Sequence, residues 1–174
     1  MLSLRVSAGL RLAVLGGLLT AAPTVFAAQQ GPFAGLGGTW SGAGQIMLGG
    51  GRTEPIRCRA NYAVGAAGNQ LQLTLRCASQ SFNFGFEGNA QSRAGAVTGT
   101  WRETSRNING QVSGTARNGQ IQVTVSGQDF SAGMTVASRG NRQSVAIRAN
   151  GQADLVGADI AMSRGGRETV GAGQ

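Results

Sequence analysis

Two stretches of alternating apolar and polar residues, 56–62 and 71–77, contain the only two cysteines of the chain. Their apolar members are Ile56, Cys58, Ala60 and Tyr62 in the first stretch and Leu71, Leu73, Leu75 and Cys77 in the second. A period of two is typical of a β-strand with one buried face. A tight turn centred on Ala67-Gly68 places Cys58 opposite Cys77, and opposite residues of paired strands lie within disulfide distance. The pattern therefore predicts a β-hairpin closed by a disulfide, with two buried free thiols as the alternative.

The opposite face of this hairpin is rich in arginine. The same register places Arg59 opposite Arg76, with Arg57 diagonal to Arg76. The outward positions that flank them on neighbouring segments are uncharged: Ser41, Ala43, Gln45, Asn83 and Gly85. Because like charges that face each other across strands are destabilising, this cluster without counter-charge is a candidate anion-contacting patch. The alternative is a solvated outer face on which the arginine stems lie against their neighbours.

The amino-terminal residues have the organisation of a secretory signal peptide. Arg5 and Arg11 precede the short apolar stretch 12–19, and small residues then lead to Val25-Phe26-Ala27. A positive start, a short apolar core and small residues before the cleavage site define such a signal, and the stretch is too short for a comfortable membrane span. We predict a signal peptide over residues 1–27 and a short leader over 28–36. The mature protein is then periplasmic or secreted, in a compartment where a disulfide persists.

Alternation continues beyond the hairpin and predicts a single β-domain over residues 37–163, followed by a disordered tail over 164–174. Short alternating segments recur about every 10–13 residues, which is typical of an antiparallel meander. No segment outside the predicted signal peptide has the apolar period of a helix. Closing a long one-faced meander removes its exposed edges. We therefore predict an all-β fold, an antiparallel up-and-down meander of about 8–10 strands that closes into a barrel.

Particular turns and faces follow from the same pattern. Asn118-Gly119 is a strong signal for a two-residue hairpin turn. A short turn after Cys77 would place Phe84 opposite Leu75 and Phe86 opposite Leu73. In the tenth strand the predicted inward residues are Val156, Ala158, Ile160 and Met162. Glycines at inward positions are expected to allow strong coiling of the strands; they are Gly42, Gly44, Gly99, Gly110 and Gly114.

The segment Gly38-Thr39-Trp40-Ser41-Gly42 resembles the opening of calycin-like barrels such as lipocalins and nitrobindin-like proteins. The whole mature chain also resembles secreted β-barrel proteins of α-proteobacteria that carry segments comparable to Ile56-Arg57-Cys58-Arg59-Ala60 and Gly99-Thr100-Trp101-Arg102-Glu103. The first resemblance implies a calycin-like barrel with room for a small apolar ligand, and the second implies no known activity. Haem ligation of the nitrobindin kind does not carry over, because the chain has no histidine.

The residue types exclude much catalytic chemistry. Without histidine, Ser-His-Asp, Cys-His and imidazole metal sites are excluded. The two cysteines are spaced for a disulfide, and the acidic residues are scattered without an evident carboxylate pair. Gly49-Gly50-Gly51-Arg52 lacks the following helix that a phosphate loop requires. We therefore expect no catalytic residue, no metal and no cofactor, and a protein that is not an enzyme.

The predicted interior offers candidate ligand-binding residues at both mouths of the barrel. They are Phe82, Trp101, Glu103, Trp40, Tyr62 and Phe86. The predicted register places Phe82, Trp101 and the cysteine pair toward one mouth, and the last three candidates toward the other. Glu103 follows Trp101 with inward parity and is a candidate for the polar group that orients a ligand at the first mouth. The alternative is that these aromatic side chains simply fill the barrel.

Three functions are consistent with these features. The first, which we favour, is an exported non-enzymatic barrel that binds a small apolar molecule in its interior. The second is an envelope protein whose patch of Arg57, Arg59 and Arg76 contacts anionic lipid, lipopolysaccharide or a protein partner; the formal charge of +8 favours acidic partners in general. The third is a small outer-membrane barrel, which the outward arginines and the scarcity of aromatic residues disfavour. Nucleic acid is not an expected partner, because no aromatic residues interleave with the arginines.

Overall fold

A computed structural model describes residues 30–128, 130–150 and 154–165. The predicted signal peptide, residues 28 and 29 of the predicted leader and the tail beyond residue 165 lie outside these ranges. The chain forms ten antiparallel strands, each paired with the next, and the tenth pairs with the first to close a barrel. The strands are β1 Gly38–Leu48, β2 Thr53–Gly65, β3 Gln70–Ala78, β4 Asn83–Arg93, β5 Ala96–Glu103, β6 Ile108–Arg117, β7 Gln120–Ser126, β8 Ser131–Arg139, β9 Arg142–Asn150 and β10 Leu155–Arg164. The prediction of an all-β, up-and-down barrel is confirmed.

The hairpin of β2 and β3 has the predicted register. Cys58 lies opposite Cys77 and the two sulfurs are bonded, while Arg59 lies opposite Arg76. The turn at Asn118-Gly119 joins β6 to β7 and sets Ala116 opposite Ile121, as predicted. Both residues of this turn have positive φ, 52° and 75°, which is the backbone conformation of a type I′ hairpin turn.

The predicted register between β3 and β4 is wrong by two residues. Phe86 lies opposite Leu75, and Phe84 lies opposite Cys77. The difference arises in the turn over residues 79–82, which is wider than the short turn predicted after Cys77. The carboxylate of Glu54, on β2, accepts hydrogen bonds from the hydroxyls of Ser79 and Ser81 and from the backbone N–H of Ser81. Glu54, which belongs to β2, therefore stabilises the wider conformation of the turn between β3 and β4.

The start of β10 also departs from the prediction, because Val156 faces solvent with 44 % of its surface exposed. The ladder between β1 and β10 contains an irregularity at this point: Met47 pairs with Gly157, whereas Leu48 pairs with Leu155. The extra residue is a β-bulge, which reverses the inward and outward sides of the strand. Beyond the bulge, Ala158, Ile160 and Met162 are buried as predicted. The strand ends at Arg164, so the predicted tail begins at least one residue too early.

One end of the barrel, here called the closed end, carries the turns at residues 66–69, 94–95, 118–119 and 140–141. The residues before β1 cover this end as a short 3-10 turn, Ala34–Leu36. Phe33 and Leu36 are almost completely buried there, and Trp40 donates a hydrogen bond from its indole Nε1 to the carbonyl of Leu36 at 2.7 Å. Phe33 and Leu36, which lie in the segment predicted to be a short leader, thus belong to the core of the barrel. Within the described ranges, no helix is long and apolar enough to cross a membrane.

Candidate functional site

A row of five aromatic side chains lies at the opposite end, here called the aromatic end, whose turns are at residues 49–52, 79–82, 104–107 and 127–130. The aromatic row consists of Phe82, Phe84, Phe86, Trp101 and Phe130. Consecutive ring centroids are 5.7, 6.2, 6.2 and 6.2 Å apart, which is the separation of interacting aromatic pairs. The row therefore crosses from the start of β4 to the start of β8 on the inner side of the barrel.

Three rings of the aromatic row lie outside the buried core, whereas Phe82 and Phe84 pack against it. All five rings are only partly buried, and Phe86, Trp101 and Phe130 are not among the side chains packed against the core cluster. Several inward aliphatic side chains are also partly exposed: Leu71, Leu73, Leu75, Val112, Met134, Val145 and Ile147. An inward apolar side chain that keeps contact with solvent marks incomplete filling of the interior. The barrel interior therefore offers apolar surface, including the partly exposed rings at the aromatic end, that a ligand would remove from water.

Glu103 lies beside this row, opposite Phe86 on the neighbouring strand, and is 4 % exposed. Its Oε1 accepts hydrogen bonds from the backbone N–H groups of Gly85 and Ser105, and its Oε2 accepts one from Arg106 at 2.6 Å. Burial acts to raise the pKa of Glu103, but these hydrogen bonds outweigh it and hold the pKa below its ordinary value. The carboxylate is therefore engaged in shaping the turn at 104–107, and this contact pattern does not present it as a free group for orienting a ligand.

The turn at 104–107, which Glu103 stabilises, places the guanidinium of Arg106 at the aromatic end of the barrel. The guanidinium carbon of Arg106 lies 5.9 Å from the centroid of the Phe84 ring, within the range of a cation–π contact. Trp101 is fixed separately, because its Nε1 donates a hydrogen bond to the carbonyl of Ser126 at 3.1 Å. The aromatic end therefore combines a fixed indole, stacked phenyl rings and one positive group at the rim.

The closed end contains the other two aromatic candidates, in a packed arrangement. Trp40 and Tyr62 are buried and meet edge to face at 6.5 Å, and the guanidinium of Arg164 lies 4.7 Å over the Trp40 ring. Tyr62 donates a hydrogen bond to Gln143 at 3.1 Å, and burial raises the pKa of Tyr62 to about 12. The predicted grouping of Phe86 with Trp40 and Tyr62 is wrong, because the Phe86 ring contacts Phe84 and Trp101 instead.

The three candidate anion-contacting residues, here called the side-wall arginines, lie together on the outer face of β2 and β3. Arg57, Arg59 and Arg76 are exposed, with Arg59 directly opposite Arg76. The two ion pairs found among residues 30–128, 130–150 and 154–165 join Arg102 to Glu87 and Arg148 to Asp159. The side-wall arginines therefore have no acidic partner in the part of the chain that the structure describes.

A shallow depression of about 570 Å³ lies on the outer wall over β3 to β6. Its lining includes the exposed, outward residues Gln72, Thr74 and Gln111, and also Leu73 and Trp101, which have inward parity. Its polar groups already pair with one another: Arg102 with Glu87 at 2.6 Å, and the Asn89 amide with the Thr100 hydroxyl at 2.9 Å. We therefore place the candidate site inside the barrel at the aromatic end, where apolar surface is left without a partner, and not in this depression.

Of the six predicted ligand-binding residues, the structure brings Phe82, Phe86 and Trp101 into one row and leaves Trp40 and Tyr62 in the packed closed end. Sequence reasoning left Phe84 and Phe130 out of the candidate set, although the inward parity of both was recognisable. Phe130 comes close to Trp101 because of the combined registers of three hairpins, from β5 to β8. Alternation within single strands does not predict these registers. Nothing in the pattern pointed to Arg106, because its position depends on the turn that Glu103 holds.

Comparison with known proteins identifies the fold. No protein-family model and no curated protein matches the sequence. Among solved structures, the crystal structure of Rv2717c from M. tuberculosis matches with a TM-score of 0.57 and 16 % identity, over 75 % of this chain and 93 % of that one. The S-type phycobiliprotein lyase CPES from Guillardia theta matches with a TM-score of 0.54 and 8 % identity, over 78 % of this chain and 92 % of that one. Both are barrels of the calycin type, so the expected calycin-like architecture is confirmed at the level of the fold alone.

Proposed function

We propose that this protein is an exported, non-enzymatic barrel that binds a small apolar molecule at its aromatic end. The observation that carries the proposal is the aromatic row, whose rings contact one another while remaining partly exposed on the inner side of the barrel. Burying apolar area is worth about 25 cal/mol per Å², so these rings favour an apolar occupant. The fold shared with barrels such as the phycobiliprotein lyase supports an interior site, and the absence of histidine from the chain disfavours an enzyme.

The export part of the proposal rests on the disulfide and on the predicted signal peptide. A bonded cysteine pair is typical of oxidising compartments. An outer surface bearing Arg57, Arg59, Gln72 and Thr74, all exposed, favours a water-soluble barrel over a lipid-embedded one. The intact mass of protein released by osmotic shock tests this part, since we expect a chain that begins at Ala28 and carries the disulfide. A full-length chain retained in the cytoplasm would contradict it.

Fluorescence titration with anilinonaphthalene sulfonate, whose rings bind apolar surface, tests the binding site in high salt, which screens the negative charge of the probe. The chain has two tryptophans, and one of them, Trp40, is packed into the closed end with no exposed surface. We expect the probe to change the emission of Trp101 more than that of Trp40, so that Trp101→Phe removes most of the change. Phe86→Ala should weaken probe binding by about tenfold or more, because it removes buried apolar area. Native mass spectrometry of protein taken from its own compartment should show the added mass of the natural ligand.

A matched control lies on the same strand as Trp101. Thr100 faces outward and is exposed, so Thr100→Ala should leave probe affinity unchanged. Equal effects of Thr100→Ala and Phe86→Ala, or no probe binding by the wild-type protein, would contradict an interior apolar site. They would instead favour a barrel that is filled by its own side chains.

A second candidate function involves the side-wall arginines. The exposed, directly opposed pair Arg59 and Arg76 has no acidic partner among the described residues, which favours an anionic partner in the envelope. This interaction would weaken steeply with added salt, whereas binding of an apolar molecule inside the barrel would not. The salt dependence of any observed partner therefore separates the two candidates.

A further inference from the structure

Three tight turns at the closed end share one sequence feature. The strand before each turn ends with arginine: Arg93 precedes Ala94-Gly95, Arg117 precedes Asn118-Gly119, and Arg139 precedes Gly140-Asn141. A fourth arginine, Arg142, begins the strand after the third turn and lies directly opposite Arg139. These four residues are here called the arginine fringe.

The fold arranges the fringe along one rim. All four side chains are exposed and have outward parity. The three turns follow one another around the rim, because Gly95 accepts a backbone hydrogen bond from Ala116 and Gly119 accepts one from Ser138. The ladders place Thr115 across β5 from Arg93 and Ala137 across β7 from Arg117, two residues short of the next arginine in each case. Successive arginines of the fringe are therefore about 12 Å apart between Cα atoms. The fringe extends from β4 to β9, six of the ten strands that form the rim.

No described acidic residue lies near the fringe. The outward residues next to it on the same strands are uncharged, and they include Gln91, Thr98, Thr115, Gln122 and Ser144. Glu87 is about 20 Å from Arg93 along β4 and is paired with Arg102. The nearest described acid is Asp159 on β10, which lies opposite Ala146, about 14 Å from Arg142, and is paired with Arg148. Both separations exceed the Debye length of about 8 Å at physiological ionic strength. The rim therefore presents positive charge without local compensation.

We propose that the arginine fringe docks the closed end of the barrel onto an anionic lipid surface. The fringe is spread over six neighbouring strands of the rim, so a small anion would reach one or two of its members. Long arginine side chains at the rim can all reach a plane that lies across the end of the barrel, and anionic headgroups attract such clusters. Single-stranded nucleic acid would call for exposed aromatic residues, and the large exposed apolar residues in the described ranges, Ile108 and Val156, lie toward the aromatic end.

Vesicle co-sedimentation tests this docking surface. The wild-type protein should bind vesicles of phosphatidylcholine with about 30 % phosphatidylglycerol, but not vesicles of phosphatidylcholine alone, and binding should fall with added salt. The triple variant Arg93→Gln, Arg117→Gln, Arg139→Gln should weaken binding to the anionic vesicles about a hundredfold. All three positions are exposed, and circular dichroism is expected to show that the variant stays folded.

The matched control removes the same charge from the side wall. The triple variant Arg57→Gln, Arg59→Gln, Arg76→Gln should retain most of the binding if the fringe is the docking surface. Equal losses in the two triple variants would show attraction by net charge alone and would overturn the proposal. A loss confined to the side-wall variant, or absence of wild-type binding to the anionic vesicles at low salt, would overturn it too. Probe binding at the aromatic end should be the same in both variants, so this test is independent of the proposed ligand site.

Discussion

At the scale of single residues, Tyr62 gives the most direct test of packing at the closed end. It is the only tyrosine in the chain, and burial raises its pKa to about 12 from an ordinary value of 10.0, against a smaller effect of its hydrogen bond to Gln143. We expect phenolate absorbance in the native protein to appear near pH 12, and in the denatured protein near pH 10. A native titration at the denatured value would show that the closed end is open to water.

The same shift has a consequence for stability. A group whose pKa is raised by folding contributes stability that is fully present below its unfolded pKa and is lost as the pH rises through its folded pKa. The free energy of unfolding should therefore fall between about pH 10 and pH 12, by roughly 2–3 kcal/mol for a shift of this size. Tyr62→Phe should lose that part of the pH dependence.

For Glu103, the sequence pattern predicts the position of the side chain but not its role. Its inward position follows from simple parity after Trp101, and the structure has it buried. Its role does not follow, because its three hydrogen-bond donors are backbone groups of Gly85, Ser105 and Arg106. Two of them belong to a turn whose conformation is invisible in an alternating pattern. Parity therefore predicts which side a residue faces, whereas its partners depend on local backbone geometry.

At the scale of strands, inward glycines set how closely β1 approaches β10. A Cβ placed on Gly44 would overlap the backbone of β10 at Asp159 and Ile160, whereas a Cβ on Gly133 in β8 would meet no atom within 4 Å. We expect Gly44→Ala to destabilise the protein by about 1–3 kcal/mol through overpacking, measured by urea unfolding. Gly133→Ala should change stability by no more than about 0.5 kcal/mol. Similar values for the two variants would show that the barrel wall can widen freely at β1 and β10.

Some strand registers are set by residues within the connecting turn, and others are set by contacts with distant strands. Those of β2 with β3 and of β6 with β7 were predictable, because local turn residues such as Asn118-Gly119 fix them. The register of β3 with β4 was not, because Glu54 from β2 fixes the turn between them. The bulge that exposes Val156 depends on the closing ladder with β1. Interactions distant in sequence therefore account for both errors.

At the scale of the whole molecule, the closure of the meander into a barrel was predictable from the sequence. The difference between its packed closed end and its partly exposed aromatic end was not. A one-faced sheet of this length has exposed edges to bury, which favours a barrel whatever its details. The packing of Phe33 and Leu36 against Trp40, by contrast, depends on how residues before β1 fold back over the rim. The aromatic row likewise exists only when β4, β5 and β8 are brought together by closure.

This division predicts that the two ends respond differently to loss of one phenyl ring. Phe33 is 1 % exposed and belongs to the core, so Phe33→Ala should lower the free energy of unfolding by about 3–5 kcal/mol without changing affinity for anilinonaphthalene sulfonate. Phe86 is partly exposed and lies outside the core cluster, so Phe86→Ala should cost less than half as much stability. Urea unfolding and probe titration on the same samples measure both effects.

The pair of variants also discriminates between one continuous interior and two separate ends. If the interior were a single packed core, both substitutions would lower stability and probe affinity together. Phe33→Ala that weakened probe binding about tenfold, at a temperature where the variant remains folded, would show that the ends are coupled. The expected result is the opposite: stability is concentrated where Trp40, Tyr62 and Phe33 are buried, and binding where the rings of the aromatic row are left partly exposed. If the proposed site is correct, we expect the barrel to exchange its ligand at the aromatic end without loosening the closed end.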